Sequence, residues 1–158
     1  MGFEDFSAWQ RWEDRSQIAG MKFPGVYVLC ISNTDIATQP FQLLPNIIYI
    51  GMTNSKAGLK GRLTQFDNTI KGKQGHGGAD RVRYKHRDYD KLIAELYISV
   101  RKFPCDVKRE SPEDLLTMGD VSKHEYECFA EYKKRYHKWP EFNDKKLSDK
   151  YSRRGRNK

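Results

Sequence analysis

Four residues in this 158-residue chain have the types needed to cut a phosphodiester: Tyr27, Tyr49, Arg62 and Glu125. That chemistry needs a positioned water, neutralisation of charge on the phosphorus centre and help for the leaving oxygen. An arginine can grip phosphate oxygens in bidentate fashion. A carboxylate can hold a hard divalent cation, Mg²⁺ or Mn²⁺, with waters completing the shell. A tyrosine can orient or deprotonate the water, although its unperturbed pKa of about 10 calls for a nearby cation if it is to act as a base. Each residue also has a plain reading. Strand tyrosines are usually core, a helical arginine is usually solvated, and Ser122-x-x-Glu125 spells a capping box.

The elements that must position these residues can be read from the pattern. PGVYVLCIS and NIIYIGMT are short apolar, β-branched runs bounded by Pro, Asn or Gly, and read as two neighbouring antiparallel strands, 25–32 and 46–52, with Tyr27 and Tyr49 side by side. The intervening 33–45 has two prolines and reads as a long connection, with Phe41, Leu43 and Leu44 tucked back on the core. Leu59, Leu63, Phe66 and Ile70 form a helical stripe, with Asn54 or Ser55 as cap, Arg62 off the stripe and Gly72 as the stop. Phe6, Trp9, Trp12 and Ile18 suggest an amphipathic N-terminal helix over 3–19. Residues 92–103 read as a third strand. Ser111-Pro112 starts one helix, and a second follows from Ser122 to Lys138. On that last helix Glu125 shares a face with Phe129, Tyr132 and Tyr136, whereas Glu131 lies on the polar face.

Composition narrows the partner. The net charge is +8, and it is clustered: residues 60–91 hold nine Lys/Arg against four Asp, and 144–158 hold seven against two. Such clustering suits a polyanion, most simply nucleic acid. Lys60, Lys71, Lys73, Arg81, Arg83 and Lys85 are the candidate nucleic-acid contacts. The glycine-rich GKQGHGGAD around His76 lacks the order of a nucleotide-binding loop; it suits either close approach to a phosphate backbone or a plain surface loop. His86 reads as a surface histidine. The three cysteines, Cys30, Cys105 and Cys128, are far apart with no Cys-x-x-Cys, which argues against zinc or a disulfide framework and for free thiols in a reducing, cytoplasmic setting. No apolar run reaches the roughly 18 residues of a membrane span. The first residues do not form a secretion signal, and Met1-Gly2 lacks the rest of a myristoylation signal.

Taken together, Gly25-Val26-Tyr27, then Tyr49-Ile50-Gly51 followed by Met-Thr, then Leu59-x-x-Arg62, a helical Glu125 and a terminal Pro140-x-x-Asn143 resemble the GIY-YIG nuclease superfamily over about residues 24–143. The resemblance implies an α+β fold, a small three-stranded antiparallel sheet flanked by helices, as one domain over 1–143 with a basic tail over 144–158. It implies a metal-dependent DNA endonuclease using Mg²⁺ or Mn²⁺ on double-stranded DNA, similar to stand-alone and small restriction enzymes. A palindromic target would bring a homodimer. By resemblance Tyr27 is the base or water-orienting group, Tyr49 contacts the phosphate or supports Tyr27, Arg62 neutralises the phosphate, Glu125 binds the metal and Asn143 braces the site. Two departures stand out. The 33–45 connection is long, and the position where many members carry a histidine, four residues after the arginine, is Phe66; His76, Lys60 or Lys73 would have to substitute. Glu131 is the rival metal ligand, with Glu125 preferred for its face. The alternative function is a nucleic-acid-binding module of the same fold that does not cut.

Overall fold

A computed structural model of the chain describes residues 2–73 and 75–151. Its architecture is α+β. Four strands, β1 (Gln10–Arg11), β2 (Gly25–Ile31), β3 (Ile47–Thr53) and β4 (Leu96–Lys102), form one antiparallel sheet in the order β1-β4-β2-β3. The expected three-stranded sheet therefore gains a short fourth member. Four α-helices, α1 (Gly58–Lys71), α2 (Gly77–Lys85), α3 (Tyr89–Glu95) and α4 (Pro112–Tyr136), and two 3-10 turns, Trp12–Gln17 and Glu141–Asn143, complete it.

Strand alternation sends side chains to two faces, and each face has its own core. Tyr27 and Leu29 pack with Leu59, Leu63, Phe66 and Ile70 of α1, Ala79 and Val82 of α2, and Leu92 of α3. Val26, Val28, Cys30 and Ile50 pack on the opposite side with Val121, Cys128 and Tyr132 of α4. The Leu59-Leu63-Phe66-Ile70 stripe is thus fully buried, as its spacing requires. Cys30 and Cys128 are buried free thiols whose pKa burial raises to about 12.

The N-terminal helix expected over 3–19 does not form. Trp9 is buried in the α4-side core and Trp12 in the α1-side core. The two indoles straddle the sheet, and the chain between them is β1, paired through Gln10 with Ile98 and Arg11 with Tyr97. A three-residue spacing that looked like one helix face instead serves both faces. The 33–45 connection has no regular structure. It holds against the N-terminal segment by Thr38 and Trp9 backbone bonds and by Phe41 stacked on Phe6 at 4.2 Å, with Leu43 buried.

Three boundaries also shift. Residues 92–95, read as the start of the third strand, are instead the end of α3, which Asp88 caps by accepting from Lys91 N–H at 3.1 Å. The two helices expected from Ser111 and from Ser122 are one, α4, with the capping box at Ser111 and Asp114 rather than at Ser122 and Glu125. It ends at His137, in the left-handed conformation. Neither Asn54 nor Ser55 caps α1, whose N-cap is Ala57 without a side-chain bond.

Candidate active site

The site begins with a glycine. Tyr27 on β2 lies opposite Gly51 on the edge strand β3. A Cβ on Gly51 would stand 2.4 Å from Tyr27 Cζ and 2.5 Å from its hydroxyl oxygen. Only a residue without a side chain lets the Tyr27 ring lie across β3 toward that edge. Tyr49, two residues earlier, is on the same face with its ring 6.0 Å from that of Tyr27. Gly25 meets a similar constraint, since a Cβ there would strike the Arg101 carbonyl oxygen at 2.2 Å.

The second half of the glycine-rich segment, Gly77–Asp80, is the first turn of α2, laid against the tyrosines. A Cβ on Gly78 would meet Tyr49 Cε2 at 2.4 Å, so this glycine too exists for close packing. His76 is the N-cap of α2: its Nδ1 accepts from Ala79 N–H at 3.1 Å. In the neutral ring the proton is therefore on Nε2, which donates to Tyr27 Oη at 2.8 Å. The Phe66 ring, at the position where the histidine was sought, packs edge-on against His76 with centroids 4.9 Å apart. Phe66 thus supports an imidazole that arrives from the next helix. Burial and the Arg62 charge depress the His76 pKa to about 3, so the ring stays neutral.

Arg62 projects from α1 into the same cluster. Its charge acts on Tyr27, Tyr49, His76 and Glu125 alike. Its Nη1 donates to Gln65 Oε1 at 2.9 Å, while its buried Nε has no hydrogen-bond partner among the described residues. Glu125 comes from α4, past the edge strand, and lines a cleft of about 640 Å³ with Tyr49, Ile50 and Asn143. Burial raises its pKa to about 7, with Arg62 opposing the shift. Burial also raises Tyr27 well above the ordinary phenol value, with Tyr49 adding to it and Arg62 counteracting, so Tyr27 is a neutral phenol at neutral pH. Asn143, in the C-terminal 3-10 turn, holds the backbone of Ile50 at both ends: its Oδ1 accepts from Ile50 N–H and its Nδ2 donates to Ile50 C=O, each at 2.9 Å.

Tyr27, Tyr49, Arg62, His76, Glu125 and Asn143 are therefore brought together. Glu131 is not: it pairs with Arg135 at 3.1 Å on the outer face of α4. Several of the six basic residues singled out in the sequence have partners within the fold. Lys60 lines a separate groove beside Glu13 and Arg15. Lys73 lies exposed beyond the end of α1. Lys71 is paired with the nearly buried Asp67 at 2.8 Å. Lys85 is paired with Glu141, and Arg83 stacks its guanidinium 4.5 Å over Tyr151. Arg81 is 8% exposed, donates to Phe142 C=O at 3.4 Å and lowers the pKa of both Tyr49 and His76. It belongs to the cluster's own electrostatics. His86 is half-buried against Phe142.

Sequence reasoning missed the other wall of the cleft, made by Tyr126, Phe129, Trp139, Lys145 and Lys146. The lysines were visible only as part of the basic run 144–158, of which 152–158 lie outside the described residues. Among the described residues no group of three His, Cys, Asp or Glu side chains could hold a metal; the carboxylates lining the cleft are Glu125 and Asp144. No described helix is long and apolar enough to cross a membrane. Comparison with family models, with curated proteins and with solved structures gave no match, so function must be argued from this geometry.

Proposed function

We infer that the protein is a metal-dependent endonuclease that hydrolyses phosphodiester bonds in DNA, with the superfamily resemblance of its motifs as the framework. The observation that carries this reading is the convergence of a Tyr27–His76 hydrogen bond, an Arg62 with a buried, unpartnered Nε and a desolvated Glu125 from three helices and one strand. A buried donor without an acceptor costs about 1–3 kcal/mol, a cost that a phosphate oxygen at Arg62 Nε would relieve. A carboxylate that burial makes reluctant to ionise gains most from a cation beside it.

Glu125 fits a hard divalent cation held through one carboxylate, the usual manner for Mg²⁺. When bound, such an ion supplies neutralisation of phosphate charge and a more acidic water. Arg62 binds the phosphate oxygens, and Arg81 adds positive potential behind Tyr49. His76 Nε2–H, donated to Tyr27 Oη, fixes the phenol and favours any negative charge that develops on it. Because Tyr27 is neutral, its role is to orient the attacking water through its hydroxyl, with Tyr49 beside it on the phosphate side. Asn143 sets the backbone of Ile50, between Tyr49 and Gly51, so that both tyrosine-bearing strands keep register.

The test is nicking of supercoiled plasmid and cutting of linear DNA in Mg²⁺ or Mn²⁺, with a chelator control. Cutting is expected only with metal. Removing one preorganised transition-state donor costs about 10²–10³ in rate, so Arg62→Ala should fall at least that far. Tyr27→Phe and Glu125→Ala should also abolish cutting, and Glu131→Ala should not. Cutting that survives Glu125→Ala would overturn the assignment of the ligand, and no cutting under any condition would overturn the enzyme reading in favour of a binding module.

A further inference from the structure

The wall of the cleft opposite Tyr49 is aromatic. Tyr126, adjacent to Glu125 in α4, is 69% exposed, and Trp139, just past the end of α4, is 38% exposed. Phe129 lies between them, edge-on to both, with centroids 6.1 Å from Tyr126 and 5.1 Å from Trp139. Exposed aromatic rings of this size normally bury, and the other two tryptophans, Trp9 and Trp12, do so completely. Phe129 packs against the α4-side core, whereas Tyr126 and Trp139 belong to neither core. They stand on the rim of the cleft that contains Glu125 and Asn143.

The rim carries three lysines beside the two carboxylates that line the cleft, Glu125 and Asp144, and Asp144 accepts from the backbone N–H groups of Lys146 and Leu147. Lys145 and Lys146 line the same cleft, and Lys133 Nζ lies 5.5 Å over the Trp139 ring. Aromatic faces set beside a track of cations are the arrangement that holds unpaired nucleotides: each ring takes a base, and the cations follow the backbone. A fully paired duplex keeps its bases stacked on one another and offers these rings nothing. We propose that the Tyr126–Phe129–Trp139 rim is a base-stacking platform, and that the substrate is DNA with an unpaired nucleotide beside the phosphate to be cut. This rests on the phosphodiesterase reading above, but it concerns binding and can be tested without cutting.

The experiment uses two fluorescein-labelled oligonucleotides, one a perfect duplex and one with a single bulged 2-aminopurine, in chelator so that nothing is hydrolysed. The full chain should bind the bulged form at least tenfold tighter by fluorescence anisotropy, and 2-aminopurine emission should fall on binding. Trp139, the one tryptophan not buried, should become protected from acrylamide quenching. Tyr126→Ala and Trp139→Ala should each lose about tenfold on the bulged form, in keeping with the strength of base–aromatic stacking, and less than twofold on the perfect duplex. Trp139→Leu and the far-exposed Tyr126 site guard against a variant that simply misfolds. Equal affinity for both forms, unchanged 2-aminopurine emission or equal losses on both forms would each overturn the platform. A preference for the bulge that persists in Glu125→Gln, in a protein that never cuts, would leave the platform standing while the enzyme reading fell.

Discussion

Replacing Gly51 by alanine puts a methyl carbon 2.4 Å from Tyr27 Cζ, where ordinary van der Waals contact begins at 3.4 Å. The obstructing group is not the free end of a flexible chain. Tyr27 is fully buried, and its ring is held between Tyr49 and His76. The ring must withdraw by about 1 Å, which breaks the 2.8 Å bond to His76 Nε2, and a displacement of that size at a reacting centre costs on the order of 10² in rate. Overpacking of this kind destabilises by about 1–3 kcal/mol. For a chain of this size each kcal/mol moves Tm by about 2–4 °C, so the expected fall is roughly 2–12 °C. Gly119→Ala is the internal control. It sits mid-helix in α4 with nothing within 4 Å of the added carbon, and should stabilise by up to about 1 kcal/mol. The assays are thermal denaturation by circular dichroism and plasmid nicking in Mg²⁺. A Gly51→Ala protein with unchanged Tm and an unchanged nicking rate would refute the argument, because then Tyr27 is not held where its ring requires the glycine.

Other consequences follow from the same geometry. Glu125 has a folded-state pKa raised from 4.5 to about 7, so the stability it lends is present below its unfolded pKa and is lost as pH rises through about 7; in chelator, urea denaturation of Glu125→Gln should lack that slope. At subsaturating Mg²⁺ the nicking rate should rise about tenfold per pH unit up to about pH 7 and then level, as ionisation of one carboxylate requires, and saturating Mg²⁺ should move that break to lower pH. His76, with its pKa lowered to about 3, contributes stability above its unfolded value near 6.5 that is lost as pH falls toward 3. Imidazole ¹⁵N shifts should therefore show the neutral Nε2–H tautomer down to pH 5. Asn143→Ala leaves the Ile50 N–H and C=O without their partner and should cost about 1–3 kcal/mol by urea denaturation.

The strands carrying the tyrosines and the α1 stripe were legible because each is written in a short local pattern. β2, covered on both faces, reads as a continuous apolar run, and α1 as a 3.6-residue stripe over one buried face. Trp9 and Trp12 show why the N-terminus was not. Their spacing matches a helix, but they are buried on opposite sides of a sheet whose β4 partner lies some ninety residues later in the chain, and no local pattern records that. His76 was recognisable as a stand-in for the missing histidine because Phe66 left a vacancy to fill. That it would cap a helix was hidden by the glycines, which look like a loop until Gly78 is seen against Tyr49. The basic residues show another limit of sequence. Charge counts give a total, while Asp67 and Glu141 each retain one of those cations for the fold. Of the aromatic rim, Phe129 was legible on the apolar face of α4, while Tyr126 lies off that face and nothing local to it records that its ring stands exposed at the cleft.

Tyr49 stands on β3 at the margin of the sheet, and Tyr27 reaches toward that margin from β2 across Gly51. That margin carries a liability. An edge strand presents free donors and acceptors on which another chain can grow. Asn143 gives Ile50 a side-chain amide where a further strand would have placed its backbone. The same residue that keeps the tyrosines in register therefore terminates the sheet, and its loss should show not only as lower stability but as a protein that self-associates through β3.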